Sequence, residues 1–560
     1  VKEILHKTPE MALFICLALG YALGKVKFWK ISLGGIAGTL IVAIFVGMWA
    51  KISLNDQVKN IAFAMFIFTL GYLSGPSFFA SLNRKSLRYG TFTAIEAVSV
   101  LTIAGIATVA LNLDLGTAAG LMAGGATESA VVGTATDAIG KLDAPADQIK
   151  TWQDNVGTAY SISYIMGLIT IVLMTSQIFP ALMKINLRDE AEKLWRKLGG
   201  GSTDEGAAPA LPELVGRAHR VTVADGQSIS QLEAALGKGS TVERVNRAGT
   251  NLDVTPALKL ATGDVVLLVG RRDALITGDA AIGPEIYPAE GMDLEIDSME
   301  AVLTAKGASG KTIGDLRQQI PPGERHGVFL SGVSRMEHPL PLQDGTQLNT
   351  GDTLKFTGTK KDLNSFLPKV GFKIDPAVKA DFIFIGLGVF LGMLIGKLTV
   401  NLGSIPLSLG TGGGCLLTGL LFGWLRAKHP TFGQYHPAAA SVVKDLGLAT
   451  FICAVGLSSG PTAVALIKDF GIALPITGIL MTLIPASISL FVAWKLMKLE
   501  APLALGAVCG QQCSTPAITA VQSNAGNTTP LMSYTVIYAL SNVVLPLLGP
   551  IVVAMAHALQ

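Results

Sequence analysis

Charge is scarce in this chain. Of its 560 residues only 15% are Lys, Arg, Asp or Glu, against ~25% in ordinary soluble domains, and the shortage is local. Residues 187–376 carry 22 Lys/Arg and 26 Asp/Glu, about a quarter of that segment, whereas the two flanks fall to about 9%. Half of the side chains are hydrophobic and the mean hydropathy is +0.50, which excludes a secreted enzyme and a disordered chain. No basic patch with interleaved aromatics invites nucleic acid. Cysteine is scarce too: Cys16, Cys415, Cys453, Cys509 and Cys513 all fall in the apolar flanks, without C-x-x-C or Cys/His spacing. Neither a metal site nor a disulfide framework is expected. No G-x-G-x-x-G, H-E-x-x-H or G-x-S-x-G occurs, so neither a cofactor nor an enzymatic activity is expected.

What the flanks do contain is apolar length. Residues 31–50, 61–83, 97–113, 155–183, 398–425, 446–467 and 470–494 are uncharged, and ~17–25 such residues suffice to cross a bilayer. Residues 501–560 contain no Lys, Arg, Asp or Glu, too long a stretch for one span. Lys2 and Lys7 precede an apolar run without a small-residue cleavage site, and Lys25, Lys27 and Lys30 follow it. That run reads as a first span rather than a signal peptide.

The flanks also repeat each other. Residues 58–82 (VKNIAFAMFIFTLGYLSGPSFFASL) match 443–467 (VKDLGLATFICAVGLSSGPTAVALI) at 10 of 25 positions without a gap, pairing Ser74-Gly75-Pro76 with Ser459-Gly460-Pro461. Residues 113–140 overlay 499–526, pairing Gly120, Gly124 and Gly140 with Gly506, Gly510 and Gly526. Loop lysines and arginines orient the copies. Lys25, Lys27, Lys30, Arg84, Lys85 and Arg88, with Lys184, Arg188, Lys193, Arg196 and Lys197 ahead of the middle block, mark cytoplasmic sides. Odd crossing numbers then force residues 116–140 into a re-entrant hairpin and turn the second copy upside down. Arg426, Lys428, Lys495 and Lys498 fall on its cytoplasmic turns. Inverted repeats with broken mid-membrane elements are the pattern of a secondary transporter, because unpaired backbone persists in a membrane only where it lines a protein cavity.

The expected fold is a mainly α-helical membrane protein of two inverted repeats, each of about five transmembrane helices plus a re-entrant hairpin, with an α/β cytoplasmic insert. The boundaries read as an N-terminal membrane repeat (1–186), a linker (187–212, flexible from 199), two similar modules (213–290 and 291–376) and a C-terminal membrane repeat (377–560). In the modules, Thr262-Gly263-Asp264 then VVLLVGRRDAL overlays Thr350-Gly351-Asp352 then TLKFTGTKKDL. They resemble TrkA-C/RCK-C domains, the C-terminal ligand-sensing domains of potassium channels and transporters, which implies regulation or dimerisation. Ser309-Gly310-Lys311-Thr312 imitates a phosphate loop, but Ala305 replaces its first glycine; a helix capped by Thr312 is the better reading.

Four features carry the expected solute site. One hairpin tip holds Gly124, Gly125, Thr127, Glu128 and Ser129; its counterpart holds Gln511, Gln512, Ser514 and Thr515; Ser74-Gly75 and Ser459-Gly460 precede prolines that could open new helices. Helix N-termini facing one cavity would bind a carboxylate through free N–H groups, without any basic side chain. Glu128 is a carboxylate in the membrane, costly and therefore a functional candidate, suited to an ammonium group. Carboxylate sites plus one ammonium acceptor describe an amino acid. Glu96 and Asp137 are weaker intramembrane acids, Glu96 suiting a structural bond or a proton relay equally.

GGATESAVVGTATDAIG, the S-G-P repeats and the tandem middle modules together resemble the bacterial aspartate:alanine exchanger family, over nearly the whole chain. The resemblance implies a homodimer in the inner (cytoplasmic) membrane, with an elevator-type mechanism. It would exchange external L-aspartate for internal L-alanine electrogenically, coupled to a cytoplasmic aspartate decarboxylase. Family relatives carry succinate, so a dicarboxylate exchanger or exporter is the alternative. An ion channel gated by the middle modules is the second: Thr69-Leu70-Gly71-Tyr72 imitates a potassium filter, although Leu73 replaces its final glycine.

Overall fold

Helix length separates the flanks from the middle. The computed structural model describes residues 2–28, 31–32, 34–82, 88–199, 214–236, 240–271, 275, 278–287, 295–305, 307–321, 324–374, 380–402, 405–429, 433 and 435–560. Most of the 199–212 linker, Lys30, Arg84, Lys85, the Arg272-Asp273-Ala274 part of the first module's repeat and the 290/291 and 376/377 boundaries lie outside the described residues. Two units are distinguished: Val1–Lys197 with Arg335–Pro341 and Pro376–Gln560, and Leu198–Ser334 with Leu342–Asp375.

The first unit is a mainly α-helical membrane unit. Six helical segments among the described residues are long and apolar enough to cross a bilayer: Asp56–Ala80, Gly90–Leu111, Ala146–Met183, Pro437–Pro461, Ala473–Leu496 and Leu531–Leu559. In chain order its first half contains α1 (Lys2–Lys7), α2 (Glu10–Lys25), the ribbon β1 (Lys27–Phe28) and β2 (Ile31–Ser32), α3 (Gly34–Ala50), α4 (Asp56–Ser81) and α5 (Gly90–Leu111). There follow α6 (Leu115–Gly125), α7 (Ser129–Ile139), α8 (Ala146–Leu173), α9 (Phe179–Met183) and α10 (Leu187–Lys197).

The middle block of the chain holds two antiparallel sheets. β3 (Leu214–Arg220), α11 (Ile229–Leu236), β4 (Ser240–Arg247), β5 (Thr250–Leu252), β6 (Val265–Arg271) and α12 (Gly278–Ala281) form the first module, in strand order β3-β6-β4-β5. β7 (Ile296–Leu303), α13 (Ile313–Gln319), β8 (Val328–Arg335), β9 (His338–Pro339), β10 (Thr353–Thr359), α14 (Lys360–Val370) and β11 (Gly371–Ile374) form the second, in order β11-β7-β10-β8-β9. Dropping β11 leaves the strand order of the first. Both T-G-D turns place glycine at positive φ, 94° at Gly263 and 95° at Gly351, the conformation that glycine adopts without a Cβ clash. Asp264 there accepts from Arg247 Nε and Nη2 at 2.8 and 2.7 Å. Thr312 caps α13 in a reciprocal box with Asp315, so the phosphate-loop mimic is a helix start.

The membrane unit's other half contains α15 (Phe382–Gly396), the ribbon β12 (Thr399–Leu402) and β13 (Ile405–Ser408), α16 (Gly410–Lys428), α17 (Pro437–Phe470) and α18 (Ala473–Phe491). It closes with α19 (Ala501–Gln511), α20 (Thr515–Ala525), α21 (Leu531–Val544) and α22 (Leu548–Leu559). Helix, ribbon, helix, long helix, helix, broken helix pair and helix therefore recur in one order in both halves.

Three expectations are corrected. Residues 398–425 are not one span, because a β-ribbon precedes α16. Leu187–Lys197, expected as linker, is an amphipathic helix burying Leu187, Ala191, Leu194 and Trp195. Neither S-G-P motif breaks its helix: Pro76 lies inside α4 and Pro461 inside α17. The glycines there serve close packing. A Cβ on Gly71 or Gly75 would strike the carbonyls of Leu416 or Leu420 in α16, and one on Gly419 or Gly423 those of Phe68 or Tyr72 in α4. Gly47 of α3 and Gly456 and Gly460 of α17 repeat that crossed contact. Thr69–Tyr72, the filter mimic, is likewise ordinary helix in α4.

Candidate functional site

Both expected hairpins are present, and their breaks are built alike. Asp114 starts α6 by accepting from the N–H groups of Gly116 and Thr117 at 2.9 and 3.1 Å. Gly116, Gly120 and Gly124 then seat α6 against α8, where a Cβ would meet the backbone of Trp152, Val156 and Tyr164. At the break Thr127 has φ 52°, and Glu128 is extended and caps α7 by accepting from Ala130 N–H at 3.1 Å. In the other hairpin Cys513 has φ 49°, and Ser514 is extended and caps α20 by accepting from Ala517 N–H at 3.4 Å.

The two breaks meet. Thr127 Oγ1 donates to the carbonyl of Gln512 at 2.6 Å, and the Cys513 thiol adjoins the Glu128 carboxyl. A cavity of about 520 Å³ opens beside them, within the range of small-molecule sites. Thr127, Glu128, Ser129, Ser514 and Thr515 all line it. Glu128 is 4% exposed, and Ser129 shares a 2.6 Å hydrogen bond with Tyr160.

The remaining expected residues lie elsewhere. Gly124 and Gly125 are buried packing positions, facing Ser163 and Met481. Gln511 and Gln512 turn away from the cavity and donate to Glu96 at 2.8 and 2.9 Å, so Glu96 bonds to the hairpin that bears them. Ser74 is buried with an unpartnered hydroxyl among the described residues. Gly75 packs on α16 and Gly460 on α3. Ser459 Oγ donates to the Asp154 carbonyl at 3.4 Å. Asp137 accepts from Gly412 N–H at 3.3 Å, a bond between α7 and α16.

The expectation of a site without a basic residue is corrected as well. Lys444 and Asp445 of α17 line the cavity with Tyr164, Tyr538 and Asn542. Capping explains why helix tips alone would serve an anion poorly. Glu128 and Ser514 each consume an N–H of their own helix, and Pro516 has none to offer. Sequence reasoning missed Lys444, although it pairs with Lys59 in the repeat; it stands near a span's end.

Comparison with known proteins matches the two membrane blocks. A family model described as a predicted permease membrane region aligns with residues 12–180 and 384–554. An uncharacterized transporter of Zymomonas mobilis is 36% identical over 99% of both chains. One from Bradyrhizobium diazoefficiens is 33% identical over 99% of both, and one from Francisella tularensis is 35% identical over 98% of this chain and 97% of its own. No solved structure matches. The chain therefore belongs to the permease family to which its hairpin and S-G-P motifs pointed, and it is a multi-pass membrane transport protein.

Proposed function

We propose that this chain is an electrogenic antiporter, taking up L-aspartate in exchange for internal L-alanine across a bacterial inner membrane. The observation that carries this reading is the meeting of two hairpin breaks at one cavity. The hydroxyls of Ser129, Ser514 and Thr515, with the α20 start, suit a carboxylate. Glu128 is a fixed acceptor for an ammonium group.

The matching order of elements, and the shared backbone at Thr127 and Cys513, support a duplicated unit. On the loop charges its halves are inverted, with about five spans and one re-entrant hairpin each. In this reading the hairpins carry solute by an elevator motion within a homodimer. The middle modules are TrkA-C-like regulatory domains on the cytoplasmic side, and an aspartate decarboxylase supplies the alanine.

Exchange in liposomes tests it. Purified protein in vesicles loaded with aspartate is expected to take up labelled aspartate, with external alanine competing. Succinate uptake indifferent to amino acids would make it a dicarboxylate exchanger. Steady single-channel currents without solute would make it a channel.

A further inference from the structure

Lys444 is the single Lys or Arg that lines the cavity among the described residues. Its side chain is 20% exposed, and its ammonium stands 3.6 Å from Asp445 Oδ1 and 3.7 Å from Glu337 Oε2. Both separations exceed the 2.7–3.2 Å of an N–H···O hydrogen bond. Glu337 is itself engaged as an acceptor from Ser441 Oγ at 2.8 Å. An ammonium has three donors, and these neighbours neutralise its charge without binding it closely. Its repeat counterpart behaves differently. Lys59 is held by Asp56 at 2.7 Å in the same helix and does not line the cavity. The two copies have diverged so that one lysine is tied to its own helix and the other is left at the site.

We propose that Lys444 is the specificity-determining residue for net-anionic solutes, receiving a carboxylate that a neutral amino acid lacks. The assignment rests on the amino acid reading above and sharpens it. The solute's ammonium faces Glu128, its first carboxylate takes the hydroxyls and the remaining N–H, that of Thr515, at the α20 start, and a second carboxylate reaches Lys444. When the solute has one carboxylate, Lys444 stays with Asp445 and Glu337. Glu128 repels any anion in the cavity, which is why the second carboxylate needs a cation of its own.

The test compares self-exchange of labelled aspartate with self-exchange of labelled alanine, using the full chain in liposomes. Lys444→Gln is expected to raise the aspartate KM about tenfold or more, the size of a lost charge-assisted hydrogen bond, while alanine self-exchange persists. Lys444→Arg keeps the cation and is expected to retain aspartate exchange. Equal loss of both solutes in a folded Lys444→Gln protein, or an unchanged aspartate KM, overturns the proposal. A measurement on the unmutated protein guards against misfolding: aspartate, but not alanine, is expected to shield Lys444 from amine acylation read by mass spectrometry, and equal labelling with either solute overturns it. If the unmutated protein carries succinate and no amino acid, the aspartate reading fails. The Lys444 proposal then stands only if Lys444→Gln raises the succinate KM. Carriage of uncharged solutes alone sinks both.

Discussion

Thr127 and Cys513 hold the same left-handed backbone, at φ 52° and 49°, in the two hairpins whose tips touch. Such a conformation is unfavourable for any residue but glycine, and more so for a β-branched one. It persists because each residue ends one helix and the next residue caps another. The strain is located where two chain reversals meet the cavity, as is common at functional sites.

Removing the bond between the tips should therefore slow transport. Thr127→Val abolishes the donor to Gln512 and is expected to cost about 1 kcal/mol, which slows exchange about fivefold. Thr127→Ser restores the hydroxyl and is expected to restore the rate. Liposome exchange rates at matched protein incorporation check this, and a Thr127→Val rate equal to the unmutated one counts against it.

Glu96 is expected to matter for stability more than for solute affinity. Glu96→Ala leaves two buried amide donors unpaired, at about 1–3 kcal/mol each, and should lower the detergent melting temperature sharply. Glu96→Gln can exchange hydrogen bonds with Gln511 and Gln512, whose side-chain oxygens lack partners among the described residues. It should melt close to the unmutated protein. Equal loss in both variants would show that the negative charge itself is required.

The S-G-P motifs make opposite predictions for adjacent residues. Gly75→Ala drives a Cβ toward the Leu420 carbonyl and is expected to destabilise by about 1–3 kcal/mol. Ser74→Ala removes a hydroxyl without a partner among the described residues and should leave both melting temperature and exchange kinetics unchanged. A raised solute KM in Ser74→Ala would return that serine to the binding site.

His326 is expected to give the second unit a pH-dependent stability. Its Nε2 lies 2.8 Å from Glu233 Oε1. That hydrogen bond and the carboxylates of Glu233, Glu243 and Asp362 raise the imidazole above its ordinary value, against the opposing effect of burial. A raised histidine contributes stability fully below its unfolded pKa of ~6.5 and loses it as pH rises through the folded value. Strands β4 and β8 should exchange amide hydrogens more slowly at about pH 6 than at about pH 8, after correction for intrinsic rates. His326→Gln is expected to flatten that difference.

The hairpins were legible in the sequence because their glycine spacing, caps and polar tips are local features that recur at a constant offset. Ser74-Gly75-Pro76 was misread for a physical reason. Gly and Pro in a membrane helix suit either an open break or a close crossing, and only the partner helix decides; here α16 supplies it. The cation at the site was missed because Lys444 lies near a span's end, where lysine ordinarily marks a loop. Its place in the cavity that Glu128 also lines depends on how α17 packs on α3, α4 and α8, which no local pattern encodes. Gln511 and Gln512 were placed at the solute site because they sit on a hairpin tip, but they bond to Glu96, 415 residues distant from Gln511.

The crossed glycine contacts set an order of assembly. Gly47 of α3 finds its seat against Leu457, and Gly71 and Gly75 of α4 find theirs against Leu416 and Leu420. At ~5–20 residues per second of synthesis, α3 waits about 20–80 s for its partner, while the whole middle block is translated. During that interval the glycine-lined faces of α3 and α4 lack the helices that cover them in the finished fold.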